Sequence, residues 1–141
     1  MARQFGEIAE IPAGTTFTNR PELADSGVHR PLQAGISGGE KEGADSIVVS
    51  GGYEDEDYGD VLLYTGHGGN DPDTHRQVAD QSLTAGNLAL ARSGIEGLPV
   101  RVVRGFGGDP AFSPPTGFRY DGVYRVESYE EKTGKSGFKI I

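Results

Sequence analysis

The 141-residue sequence contains no cysteine, which excludes both a disulfide framework and a thiolate zinc site. Its three histidines, His29, His67 and His75, lack a second histidine at metal-ligand spacing, so no catalytic zinc centre is expected. No stretch approaches the ~20 apolar residues of a membrane span, and the opening MARQFGEIAEIP lacks the apolar run of a signal peptide. These absences predict a soluble, cytoplasmic protein with no membrane partner. Basic charge is also scarce: 13 Lys and Arg stand against 21 Asp and Glu, a net charge of −8. Taken alone, that balance argues against a nucleic-acid partner, because phosphate binding needs cations at the backbone.

The distribution of charge qualifies the sum. Residues 1–91 hold 15 acidic and 5 basic residues, whereas residues 92–141 hold 8 basic and 6 acidic. A folded domain can therefore present a basic face from Arg92, Arg101, Arg104, Arg119, Arg125, Lys132, Lys135 and Lys139, provided the fold brings these side chains together. The 23 glycines and 8 prolines fall between short β-branched or aromatic runs and punctuate strands. Strands are predicted at 46–49, 61–65, 100–104 and 122–128, with a weaker one at 15–17. A helix is predicted over 78–93, with Leu83, Asn87 and Leu90 on nearly one face and Gly86 weakening it by about 1 kcal/mol. A second helix or turn is expected after Asn19, where Pro21 suits a first turn. With 35% hydrophobic residues and no repeat, heptad or linker, the expectation is one domain over 1–141. It is mainly β, a curved or barrel-like sheet with one or two helices outside it.

The chemistry concentrates in residues 50–69, SGGYEDEDYGDVLLYTGHGG. Tyr53 and Tyr64 suit the two faces of a flat heterocycle, Asp55, Glu56 and Asp57 can accept its amino protons, and Gly51 and Gly52 allow close backbone approach. Plainer readings stand beside this one. The acidic run also fits a solvated loop or a calcium loop, although it lacks the ligand alternation and terminal Glu of an EF-hand. Tyrosines on strands also serve as packing. The glycines at 66–69 lack the lysine of a phosphate-cradling loop.

From Gly6 to Phe138, ordered stretches resemble the SRA (YDG) domain family, of the bacterial type found in modification-dependent restriction endonucleases. They are GVHRP at 27–31, AGI at 34–36, SGGYED at 50–55, YTGHGG at 64–69, ADQSL at 79–83, NLAL at 87–90, PVRVVRG at 99–105, RYDGVYRV at 119–126 and KSGF at 135–138. The resemblance implies an α+β, mainly β fold, a curved, saddle-like, PUA-like barrel with flanking helices. It implies binding of double-stranded DNA carrying 5-methylcytosine, with 5-hydroxymethylcytosine as a second candidate, by flipping the base into a pocket. Only an extruded base exposes both faces and its whole pairing edge.

Carried onto this sequence, the resemblance implies that Tyr53 and Tyr64 stack on the base, that Thr65 contacts its edge, and that Ser50, Gly51 and Gly52 line it with backbone. Family members commonly carry two adjacent aspartates after Tyr-Glu, whereas this loop reads Asp55-Glu56-Asp57 and is one residue shorter. The acceptor for the cytosine N4 amino group is thus any of Asp55, Glu56 and Asp57, in favour of Asp55 and then Asp57. Two loops enter the duplex, one around Gln33 and one at His75, Arg76 and Gln77. His75 and Gln77 replace the asparagine and arginine of an Asn-Lys-Arg finger, so strict preference for hemimethylated CpG is not inherited. His29 and Arg30 are read as phosphate contacts or as a surface turn before Pro31.

No residue is singled out as a catalytic base, and neither a cofactor nor a metal is expected, so the chain reads as a binding module and not an enzyme. A carboxy-terminal nuclease domain in a longer restriction enzyme, or a second copy of the chain, stays open as partner. Two other functions are carried: an enzyme using the acidic loop on a metal or small molecule, and a protein-interaction module on the same barrel.

Overall fold

The computed structural model describes residues 3–50, 55–65, 85–132 and 135–141. The elements run β1 (Thr16–Phe17), α1 (Arg20–Ser26), β2 (Ile36–Gly39), β3 (Gly43–Val49), β4 (Glu56–Asp57), β5 (Leu62–Thr65), α2 (Ala85–Glu96), β6 (Pro99–Gly105), β7 (Phe118–Lys132) and β8 (Lys135–Ile140). Every predicted strand is present, while β2, β4 and β8 were not predicted. β2 and β8 each hold a single isoleucine beside glycine, and β4 consists of two carboxylates, so none carries a run of β-branched residues.

The strands form one path, β2-β3-β6-β7-β8-β5-β4, with β1 beside β7. Among the described residues this is an open sheet with β2 and β4 at its ends, which corrects the expectation of a barrel. Curvature comes from β7, which pairs with β1 and β6 through its first half and with β8 through its second. Its register against β6 slips between Arg101 and Val103, and Gly122 opposite the slip takes φ +102°. Such an extra residue bends a strand and increases its twist.

The sheet buries both faces. On one side Ile47, Val49, Val100 and Val102 pack with Leu62, Tyr64, Phe138 and residues of α2. On the other, Val48 and Val103 pack with Phe17, Leu23, Val28, Phe118 and Tyr120. Two buried faces explain why β3 is buried along its whole length and β6 from Val100 to Gly105, the polar residues among them included. Asn19 caps α1, as expected, by accepting from the Glu22 N–H at 2.9 Å, and Gly27 ends it at φ +86°. α2 presents Asn87, Ala89, Leu90 and Ser93 to the interior. Ser93 Oγ both accepts from the Ala44 N–H and donates to the Ala44 carbonyl, each at 2.8 Å. The predicted residues 78–84 lie outside the described residues, Leu83 among them. Among the described residues no helix is long and apolar enough to cross a membrane.

Candidate functional site

β3 and β6 run parallel, with Val49 opposite Arg104, so both strands end at the same edge of the sheet. A Cβ on Gly105 would lie 3.2 Å from Ser50 Cβ. The exposed Ser50 thus opens the candidate pocket segment beside the end of β6. The β4–β5 hairpin returns to this edge, pairing Glu56 with Leu63 and Asp57 with Leu62. Beyond that pair, Asp55 Oδ1 accepts from the Thr65 N–H at 2.6 Å. Asp55, Tyr64 and Thr65 are therefore brought together. Gly51, Gly52 and Tyr53 lie outside the described residues, as do His75, Arg76 and Gln77.

Tyr64 is 6% exposed and belongs to the main core. Its hydroxyl lies 3.4 Å from the Gly35 carbonyl and 3.5 Å from that of Val48, long for hydrogen bonds. Burial first, and then the charge of Asp55, push its phenol well above the ordinary range. The ring is a fixed wall and presents little open surface.

The three carboxylates of the acidic loop differ in environment. Asp57 is almost enclosed, and its oxygens receive the Arg104 guanidinium at 2.7 and 2.8 Å and the Gly59 N–H at 2.9 Å. Glu56 is exposed and accepts from the Tyr58 hydroxyl at 2.7 Å. Asp55 is half-buried on the Thr65 amide. An open depression of about 260 Å³ is lined by Val49, Asp55, Glu56, Asp57, Tyr58 and Asp109. The calcium or catalytic-metal reading loses Asp57 to Arg104, and among the described residues no three His, Cys, Asp or Glu are grouped to hold an ion.

Two expectations about cations are corrected. His29 is fully buried, with Nε2 2.8 Å from the Ala34 carbonyl and Nδ1 2.7 Å from Ser46 Oγ. The carbonyl can only accept, so Nε2 carries the proton and Nδ1 accepts from the serine. Desolvation lowers its pKa to about 4. It braces the chain before β2 and does not reach a phosphate. Arg30 and Gln33 are exposed on that same segment, which Arg20 clamps by donating to the Pro31 and Ala34 carbonyls at 2.7 Å each.

Among the described residues the expected basic face is not assembled either. Arg101 and Arg104 are buried, Arg119 pairs with Asp121, Arg92 with Glu96 and Lys139 with Glu127. Arg125 is exposed, and the side chains of Lys132 and Lys135 lie outside the described residues. Sequence reasoning missed the structural role of Arg104, Asp121 and Tyr124. The signal was present in PVRVVRG, where arginines inside a valine run mark buried and therefore partnered cations.

The model of the SAD/SRA domain family matches residues 4–141, and the chain belongs to that family. It is 43% identical over 160 residues to the E3 ubiquitin-protein ligase UHRF1 of Rattus norvegicus, covering 99% of this chain and 21% of the ligase. Among solved structures, the modification-dependent TagI restriction endonuclease superposes with a TM-score of 0.94 at 48% identity, over 99% of this chain and 52% of that one. The SUVH5 SRA domain in complex with fully methylated CG DNA gives 0.82 at 41% identity, over 97% of this chain and 92% of that one. SUVH5 SRA is also solved bound to fully hydroxymethylated CG DNA. The chain thus spans about a fifth of the ligase and half of the endonuclease.

Proposed function

We propose that this chain binds double-stranded DNA carrying 5-methylcytosine or 5-hydroxymethylcytosine and reads the modified base after flipping it out of the duplex. The observation that carries the reading is Asp55, a half-buried carboxylate fixed by the Thr65 amide beside Tyr64, in a member of a family solved on such DNA. A carboxylate accepts from the cytosine N4 amino group, and among the acidic trio Asp55 combines partial burial with a place on the Thr65 amide, whereas Asp57 is taken up by Arg104. Tyr64 supplies a rigid wall of the pocket, Tyr53 the opposite face, Thr65 an edge contact, and Ser50, Gly51 and Gly52 the backbone lining.

Flipping costs a few kcal/mol, while aromatic stacking returns on the order of 1–3 kcal/mol per contact, so stacking on Tyr53 against the Tyr64 wall, with edge hydrogen bonds, offsets the flip. Burying a methyl group adds about 0.8 kcal/mol, so methyl preference rests on shape as well as area. Arg30 contacts phosphate and Gln33 enters the duplex, with His75, Arg76 and Gln77 acting from the second loop. The chain serves as the recognition module of a modification-dependent restriction system, the cutting residing elsewhere.

Fluorescence anisotropy at about 0.1 M salt, on duplexes carrying cytosine, 5-methylcytosine on one strand or on both, tests this. Tighter binding to modified DNA is expected, with Asp55→Ala losing about tenfold to a hundredfold on modified duplexes alone. Equal affinity for all three duplexes overturns the proposal.

A further inference from the structure

Arg104 lies on β6, and by strand alternation it shares the face of Val102. It is 5% exposed, so it offers no surface to DNA. We infer that Arg104 is a positioning residue for the modified-base pocket: it locks the β4–β5 hairpin in the register that presents Asp55, and so sets selectivity without touching DNA. This rests on the proposed function.

The hairpin needs such a lock. Among the described residues β4 is two residues long, stands at the end of the sheet and pairs with β5 alone, too little ladder to fix a register by itself. Arg104 binds Asp57 with a two-pronged fork at 2.7 and 2.8 Å, the arrangement that gives a charge-assisted pair its directionality. One arm also donates to the Gly59 carbonyl at 2.7 Å, and the Tyr124 hydroxyl donates to that same oxygen at 2.6 Å. The turn is thus held from two strands. Gly59 itself sits at φ +87° against Phe112, where a Cβ would lie 3.0 Å from the ring.

The remaining arm of Arg104 bonds Asp121 at 2.9 Å, and Asp121 also binds Arg119 at 2.5 and 2.9 Å. Two guanidiniums and two carboxylates make a neutral set, with the Arg104 guanidinium 5.5 Å from the Phe112 ring centre. Burial works against the charge on Arg104, but the bonds to Asp57 and Asp121 outweigh it and leave the guanidinium more basic than usual. Because Asp57 faces Leu62 and Glu56 faces Leu63, a slip of one residue would turn Asp55 away from the Thr65 amide. Holding Asp57 therefore holds Asp55.

The test measures Arg104→Lys, which keeps the charge and loses the fork, beside Tyr124→Phe, which removes one hydroxyl and leaves the ring packed. Affinity for cytosine and 5-methylcytosine duplexes is read across a salt series, and exchange of the Thr65 amide is followed by NMR. Arg104→Lys should lower affinity for the modified duplex about tenfold and Tyr124→Phe about threefold. Binding to unmodified DNA and the salt slope should stay unchanged, and Thr65 exchange should accelerate. Equal losses on both duplexes would mean that Arg104 serves DNA binding in general and not the modified-base pocket. Faster exchange with selectivity intact would show that the pocket does not need the lock. Should Arg104→Lys fail to fold, Tyr124→Phe alone decides. A parent chain that binds both duplexes equally sinks the proposed function, and unaltered Thr65 exchange in both variants sinks the lock.

Discussion

Arg101 and Arg104 stand on one strand, both nearly enclosed, and they are held in opposite ways. Arg101 lies on the α1 side and donates to the carbonyls of Val28, Gln4 and Gly6 at 2.8 Å each, with Asp45 at 3.8 Å. Arg104 lies on the other face against the carboxylates of Asp57 and Asp121. The electrostatics follow: desolvation lowers the pKa of Arg101, only partly offset by Asp45, whereas two direct carboxylates raise that of Arg104. Carbonyls satisfy N–H donors without cancelling charge, while carboxylates do both. Arg101 therefore ties the amino-terminal segment and the end of α1 to the sheet, as a requirement of folding. Arg104 ties down a short hairpin at the site, as a requirement of selectivity.

The comparison breaks most sharply at Arg101. Arg101→Met leaves Asp45 with a weaker set of partners and strands the carbonyls it served, so a loss of about 3–5 kcal/mol is expected. Urea unfolding would show it as a lower midpoint, with selectivity for modified DNA kept in whatever remains folded. Arg104→Lys should show the reverse, a lost preference with a smaller shift in midpoint.

Next in size is a pH effect on the Arg101 side. Burial, followed by the charges of Arg20 and Arg101 and opposed in part by the Ala34 hydrogen bond, holds the His29 pKa at about 4 against its ordinary 6.5. The unfolded chain therefore takes up this proton first. Stability contributed by neutral His29 is fully present above about pH 6.5 and declines as pH falls towards about 4, by up to about 3 kcal/mol. Unfolding midpoints of the parent and His29→Gln across that range would check it, because the variant should lose the slope.

Two smaller effects sharpen the contrast with the surface. Asn19→Ala removes the cap of α1 and should cost about 1 kcal/mol by thermal unfolding. Lys139→Ala breaks an ion pair whose side chains are both 45% exposed and should change stability by less than about 0.5 kcal/mol.

Much of the fold was legible because its signals are local. Valine runs marked β3 and β6, Asn19 with Pro21 marked the start of α1, and the Ala- and Leu-rich stretch marked α2. β8 was not legible, since Lys135–Ile140 becomes a strand by pairing with β7 and β5. At the site, the expected Asp55, Tyr64 and Thr65 do meet. His29, by contrast, reads as a polar residue next to Arg30 and Pro31, and its neighbours Ser46 and Ala34 are separated from it in sequence. The charge pattern misled for a related reason: a run of arginines gives cation count, while exposure depends on which face each strand position takes.

By itself the sequence determined the family, most of the strands, the start of α1 and the acidic, tyrosine-bearing segment that carries the proposed site, because motif order and side-chain periodicity are properties of neighbours along the chain. Only the tertiary structure decided that the sheet is open among the described residues, that Asp57 belongs to Arg104 while Asp55 rests on Thr65, and that two arginines three positions apart serve different ends. Ion pairs and burial join residues distant in sequence, and their partners are settled only when the strands acquire a register.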